Sequence, residues 1–414
     1  LPMMLWDHID LVPMYDAWRD GSLHASGFWR VHDGSHLHVA AYLVLLFTTA
    51  ISGGQPLLDC LASLSLLLVQ AWVLLGIARA AACADDPGRW GLLLVLVALS
   101  PGHLANLQWG WQVAVFISTL GAVVAIALLT RPTLDMGRNL LAVLAASLGV
   151  MGFSTTLAVF PIALALVALH PASATRGLRL ARMLPWLAAA AGLLWWLGNG
   201  RDASSPGWSL PGPGDFVLYV LNYLGAGVSR LATAIAPAWT VVALATTAWV
   251  LCRRRHPDML PWLALMAFGI GAAALTALGR AAEFGVQHAF VTRYASFSLL
   301  FWFGWAGLVL RAGRERVLPW RSCVLPLLWA LLVFLVANGV HMAKQARALH
   351  ARATDLAAEI RRTYPAVPQA TMEAAFDWRA PAASAALDSL HARGYAPFSE
   401  DAGDGSGEAG VRAE

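Results

Sequence analysis

Runs of about 20 apolar residues, separated by short loops that carry arginine, constrain this chain more than any other feature. A hydrocarbon layer about 30 Å thick needs a helix of roughly that length, and only a helix or a closed barrel satisfies its own backbone there. Ten stretches qualify: 56–78, 88–103, 108–130, 139–153, 156–170, 183–199, 232–252, 259–279, 292–311 and 318–341. Two more apolar stretches, 39–53 and 215–229, read as interfacial or re-entrant helices, because counting them as spans would break the charge alternation along the chain. The sequence is 58% hydrophobic and 13% charged, where soluble domains average about 25% charged. The expected fold class is therefore all-α, a polytopic transmembrane helical bundle of about ten spans with interfacial helices in the outer loops.

The arginines set the topology. Alternate loops carry Arg79/Arg89, Arg131/Arg138, Arg176/Arg179/Arg182, Arg253/Arg254/Arg255 and Arg311/Arg314/Arg316/Arg321, whereas the loops between them hold few. Such loops stay in the cytoplasm. The opposite face then receives residues 1–38, the NLQWGWQ turn, the 200–231 and 280–291 loops and the C-terminal tail. Read this way, the net charge of +4 is topological and not a nucleic-acid footprint. Trp6, Trp18, Trp29, Trp109, Trp111, Trp208 and Trp378 lie on or beside the outer face, as an interfacial aromatic belt does.

Three segments follow: an extracytoplasmic first loop at 1–38, a transmembrane domain at 39–342, and an extracytoplasmic segment at 343–414. That last segment opens with the helical periodicity of KQARALHARATDLAAEIRR and ends in the disorder-prone SEDAGDGSGEAGVRAE. A first transmembrane helix is expected before Leu1, because the chain begins inside what reads as an outer loop. The cysteines, Cys60, Cys83, Cys252 and Cys323, have no paired spacing, so neither a disulfide framework nor a zinc site is expected.

Ionisable groups are costly in hydrocarbon, so chemistry is sought at the outer surface. WDHIDLVP places Asp7 and Asp10 three apart, on one face of a helix or tight turn. Such a pair can supply a general base or hold a divalent cation, though a solvated polar loop explains it about as well. HDGSHLH offers Asp33, His36 and His38 as polar or metal-binding groups, or as a turn capping the next helix. SPGHLANLQWGWQ contributes Asn106, Gln108 and Gln112, neutral groups suited to hydroxyl-rich ligands, or else a plain helix connection. GFSTT breaks an apolar run at 152–156. GRAAEFGVQHAFVTRY carries Arg280, Glu283, Gln287, His288, Arg293 and Tyr294, where fixed guanidiniums suit a phosphate or diphosphate; a snorkelling, topology-setting pair is the alternative.

The order of these motifs resembles the bacterial integral membrane glycosyltransferases of the GT-C superfamily, and within it an uncharacterised polytopic group. That group runs DxxDL…P, an HNEHR-like element, an N-x-x-x-GFQ-like turn and a GR…G…A…RY element. The corresponding residues here are Asp7/Asp10, His32–His36, Asn106–Gln112 and Arg280–Tyr294, with a similar GYAPF ending at 394–398. Gly34-Ser35-His36-Leu37 stands where the group has an acid and an arginine.

The resemblance implies transfer of a sugar from a polyprenyl-phosphate carrier to a glycan, lipid or protein acceptor, on the outer face of a bacterial inner membrane. It implies Asp7, then Asp10, as the base. Arg280, Arg293 and His288 would bind the donor phosphate, and His36, His38, Asn106, Gln108, Gln112 and Tyr294 the sugar or acceptor. A divalent cation is left open. Two other classes fit the composition. A transporter or flippase would place ionisable groups at mid-membrane depth, for which Asp59 and Gln70 are the hints. A non-catalytic assembly partner would use the amphipathic tail for docking.

Overall fold

The computed structural model describes residues 1–399 except 33–34, 82–86, 174, 201–209 and 255–256. Asp33, Cys83, Arg201, Trp208, Arg255 and nearly all of the disorder-prone tail lie outside the described residues.

Among the described residues, apart from a hairpin of two two-residue strands, β1 (Val31–His32) paired with β2 (His36–Leu37), the regular structure is helical. The helices are α1 (Leu11–Arg19), α2 (Ala25–Phe28), α3 (Val39–Ser52), α4 (Leu57–Ala80), α5 (Pro87–Ala98), α6 (Leu104–Gln108), α7 (Val113–Leu129), α8 (Met136–Val150) and α9 (Val159–Leu169). They continue as α10 (Arg176–Asn199), α11 (Pro213–Ser229), α12 (Ala236–Arg253), α13 (Leu260–Phe284), α14 (Ala295–Arg314), α15 (Leu325–Thr363), α16 (Gln369–Phe376) and α17 (Ala380–Ala392).

Among the described residues, eight helical stretches are long and apolar enough to cross a membrane: Leu57–Ala80, Gly91–Gln108, Gly110–Leu129, Arg176–Asn199, Ala236–Arg253, Leu260–Phe284, Thr292–Arg314 and Trp320–Thr363. The chain is thus built as a multi-pass membrane protein with an all-α bundle. The expected spans at 139–153 and 156–170 are the shorter apolar helices Met136–Val150 and Ser154–Leu169. They form a hairpin packed on α7 and α10. Its corner sits at the level of the first loop: the Met151 carbonyl accepts from the Ala40 amide at 3.1 Å, and Ser154 Oγ accepts from the Leu37 amide at 3.2 Å.

α4 shows how a membrane helix divides its faces. Leu57, Leu61, Leu64, Leu68 and Trp72 recur at three- and four-residue spacing and are exposed, while Ser63, Leu67, Gln70 and Leu74 are buried. α14 is the opposite case, the most buried of the spans at 94%. Its Gly307 leaves room for the Trp262 ring, which an added Cβ would meet at 2.1 Å. α11, expected as interfacial or re-entrant, packs on α12, α13 and α14. The Leu224 carbonyl there accepts from Trp302 Nε1 at 2.7 Å, and Gly227 N donates to Ser298 Oγ at 3.2 Å.

Two features of the outer segments differ from a simple loop-and-tail picture. The last span and the amphipathic segment are one helix, Leu325–Thr363, because no proline falls between Pro326 and Pro365 to end it. The two chain ends also share a hydrophobic cluster: Met3, Leu5, Ile9, Leu11, Val12 and Tyr15 pack with Ala353, Ala357, Ile360, Phe376, Leu387 and Leu390. At the far end of the bundle, the arginine-rich loops are cross-linked by ion pairs from Arg311 to Asp258 (2.9 Å) and Glu315 (2.6 Å), and from Arg254 to Glu315 (3.1 Å).

Candidate functional site

Asp7 and Asp10 sit in a 3₁₀ turn, Trp6–Asp10, that leads into α1. Facing them is a second 3₁₀ turn, Asp377–Arg379, between α16 and α17. Arg379 Nη1 lies 2.7 Å from Asp10 Oδ2 and Nε lies 3.5 Å from Asp7 Oδ1. A third contact runs from Arg379 Nη2 to His32 Nε2 at 3.3 Å, and the guanidinium lies over the Trp378 ring at 3.6 Å. Among the described residues only three non-glycine positions have left-handed φ. Two of them, Trp6 (51°) and Asp377 (52°), flank this clamp. Such backbone costs of order 1–3 kcal/mol and persists where surrounding contacts impose it.

The clamp leads into a row of imidazoles. His32 Nδ1 lies 3.4 Å from Tyr42 Oη, and its ring is 5.1 Å from Trp111 and 5.2 Å from His38. His38 Nδ1 is 2.6 Å from the Gly152 carbonyl, an acceptor only, so Nδ1 carries the proton. His36 is 5.6 Å from His38 and stacks on Phe153 at 3.9 Å. Part of the His36 ring stays accessible, but its Nδ1 is buried without a partner. Burial, reinforced by the charges of His38, Arg280 and Arg293, holds His36 well below the ordinary histidine range.

The guanidiniums stand on the far side of this row. Arg280, near the end of α13, reaches Ser35 Oγ at 3.5 Å. Arg293 precedes α14 and faces Tyr294 at 5.8 Å; its Nε is buried without a partner. His288 Nδ1 meets Tyr219 Oη at 3.0 Å, and burial, then Arg293 and Arg280, push His288 down to about 4. Tyr294 stacks on Tyr223 at 4.9 Å, and Tyr223 is fully buried. Below them Asn106 is fully buried: Nδ2 donates to Ser296 Oγ at 2.9 Å, while Oδ1 has no partner. His103 joins the same serine at 2.9 Å through Nδ1. Arg230 holds the backbone of this segment, donating to the Phe290 carbonyl through Nη2, and burial pushes it down to about 10.

Most of the residues singled out from sequence thus gather on one end of the bundle, in two groups joined by His32, His38 and His36. Asp7 and Asp10 meet Arg379 directly, whereas Arg280 and Arg293 face the histidines. Gln108 and Gln112 belong with the turn beneath the first loop, which Trp109 Nε1 ties to the Leu5 carbonyl at 3.2 Å. Gln108 is half-buried with Oε1 unpartnered, and Gln112 is buried. Gly110 is required there: an added Cβ would lie 2.8 Å from both Asp59 Oδ2 and His8 Cε1. His8 Nε2 and Asp59 Oδ2 are 3.5 Å apart, and Thr48 Oγ1 donates to the other Asp59 oxygen. His8 is buried, which pushes it down to about 3.

Sequence reasoning missed Arg379, His8, His103, Tyr219, Tyr223 and Ser296. Only Trp378, beside Arg379, was marked, as a belt residue. For a divalent cation, Asp7 and Asp10 are a poor fit, since the Arg379 guanidinium occupies the space between them. Among the described residues no group of three His, Cys, Asp or Glu side chains could hold a metal ion.

Arg379→Gln tests the clamp. It removes the guanidinium held against two part-buried carboxylates and is expected to cost about 2–3 kcal/mol. Thermal unfolding should show that loss, and hydrogen exchange should rise in 364–398. Unchanged exchange there would mean the clamp does not hold the chain ends together. No family model, no curated protein and no solved structure matches this chain.

Proposed function

We propose that the chain is a membrane glycosyltransferase of GT-C type. In this reading it moves a sugar from a polyprenyl-phosphate donor to a cell-envelope acceptor on the extracytoplasmic face of a bacterial inner membrane. One observation carries the reading. Three buried polar atoms without partners (Arg293 Nε, Asn106 Oδ1 and His36 Nδ1) lie around Arg280 and Arg293 at the end of the bundle that carries the first loop. Buried polar groups are nearly always paired, and an anionic, hydroxyl-bearing ligand would pair these.

In the mechanism that follows, Arg280 and Arg293 take the developing charge on the leaving phosphate, and Asn106 accepts from a sugar hydroxyl through Oδ1. His36 and His288, held neutral, offer hydrogen bonds without adding charge. Asp7 is the base. Its Oδ1 is only loosely held by Arg379 at 3.5 Å, whereas Asp10 is bound at 2.7 Å, so Asp10 and Arg379 orient the site and Asp7 keeps an oxygen for the acceptor proton.

The test is transfer of labelled sugar from a panel of polyprenyl-phosphate sugars in proteoliposomes. Asp7→Asn is expected to lower the rate 10²–10⁴-fold, as loss of a general base does, and Asp10→Asn to lower it less. Full transfer by both variants would reject the assignment. Substrate binding without turnover would favour an assembly partner. Movement of intact lipid-linked sugar across the bilayer would favour a flippase, although Asp59, the carboxylate expected to serve one, already accepts from Thr48 in the first turn of α4.

A further inference from the structure

At the opposite end of the bundle, a cleft of about 550 Å³ opens between α4, α7, α9 and α13, within the roughly 300–1,000 Å³ usual for small-molecule sites. Its floor is apolar, with Ile77, Val124, Leu128 and Leu166. Its rim is cationic: Arg79 lies in the last turn of α4, Arg131 follows α7, and both are exposed. His170 is spent on holding that rim in place. Nε2 donates to the Arg131 carbonyl at 2.8 Å, and Nδ1 accepts from the Ala172 amide at 3.0 Å, which fixes the ring's orientation. The rim carboxylate among the described residues, Asp258, is taken up by Arg311 at 2.9 Å.

We propose that this cleft binds an anionic phospholipid, with an acyl chain along the floor and the phosphate between Arg79 and Arg131. Charge complementarity selects the occupant. Guanidiniums above an apolar floor match a phosphate joined to a hydrocarbon chain, and basic pockets between membrane helices attract anionic headgroups. The lipid-facing stripe of α4 leads straight to it through Leu68 and Trp72, the latter 70% exposed and itself part of the cleft wall. The site lies away from the candidate sugar-transfer centre and does not depend on that reading.

The purified chain, in neutral detergent, is titrated with phosphatidylglycerol and with phosphatidylcholine, and bound lipid is counted by native mass spectrometry. Phosphatidylglycerol is expected to bind preferentially. Arg79→Gln and Arg131→Gln should each weaken it roughly five-fold, and about 25-fold together, while Arg79→Lys/Arg131→Lys keeps it within a few-fold. Gly76→Phe, at a position where an added Cβ meets open space, should block the lipid without changing charge. Arg253→Gln/Arg321→Gln, on the same face but outside the cleft, should change nothing. Equal affinity for the two lipids, undiminished binding by the Arg79→Gln/Arg131→Gln variant, or an equal loss in the Arg253/Arg321 pair would overturn the proposal. Displacement of the lipid by inorganic phosphate alone would do the same. So would a lipid-free dimer abolished by Gly76→Phe, since the cleft would then seat a second copy.

Discussion

Acidification from pH 6.5 to 4.5 is expected to destabilise the outer end of this protein, by about 2 kcal/mol through His8 and further through His36 and His288. In the folded chain these imidazoles resist protonation: His8 is pushed down to about 3 by burial, His36 is held well below its ordinary value by burial and the nearby cations, and His288 is pushed down to about 4. In the unfolded chain they titrate near 6.5. Below that pH the unfolded state therefore binds more protons than the folded one, so stability rises with pH and falls as pH drops. Each group contributes up to about 1.4 kcal/mol per pH unit until its folded value is reached. The groups facing His36 are Arg280, Arg293, His38 and His32, all of which oppose a further positive charge. Facing His8 is the Asp59 carboxyl at 3.5 Å, too far for a good hydrogen bond and insufficient to offset burial. Thermal unfolding followed from pH 7.5 to 4.5 should show the decline, and His8→Gln together with His36→Gln should make it shallower. A flat profile in the unsubstituted chain would mean that these histidines are protonated in the folded state.

The membrane character was legible because a bilayer imposes a length on every helix that crosses it, and such runs survive in sequence as long apolar stretches. Where packing sets the length instead, the reading was weaker. α8 and α9 fall short of a full span because their corner at 151–154 is tied to residues 37–40, not left at the bilayer surface. The continuity of α15 went unread because the change from apolar to amphipathic composition near 343 marks where lipid ends, not where the helix ends. Of the candidate site, the ionisable residues were visible because charge beside an apolar body stands out. Their pairing was not. Arg379 and His32 are 347 positions apart, and nothing local distinguishes Arg379 from the other arginines of an exposed amphipathic tail. His8 was hidden between two more conspicuous aspartates, and its burial follows only from the close approach that Gly110 permits.

In the glycosyltransferase reading, Arg293→Gln should give the largest loss of activity of any single change on the cationic side of the site. The guanidinium directly precedes α14, the most buried span, and its Nε is buried without a partner in the ligand-free chain. Such a group keeps a buried donor open for the charge that develops on the leaving phosphate. Removing a fixed charge-stabilising donor costs about 10²–10³-fold in turnover, and that is the expected fall in sugar transfer. Arg293→Lys should recover only part of it, because an ammonium cannot reproduce the planar fork. Arg280→Gln should cost less, since Arg280 has a protein partner in Ser35. Stability separates a binding role from a structural one. Removing a half-buried guanidinium whose Nε is buried and unpaired should leave thermal unfolding unchanged or slightly raised. Arg230→Gln, which releases the Phe290 carbonyl, should lower stability and activity together. The measurement is therefore paired: transfer rate and unfolding temperature for Arg293→Gln, Arg280→Gln and Arg230→Gln in the same lipid. If Arg293→Gln lost stability and activity in the same proportion as Arg230→Gln, Arg293 would be a packing residue and the donor phosphate would have to be held elsewhere.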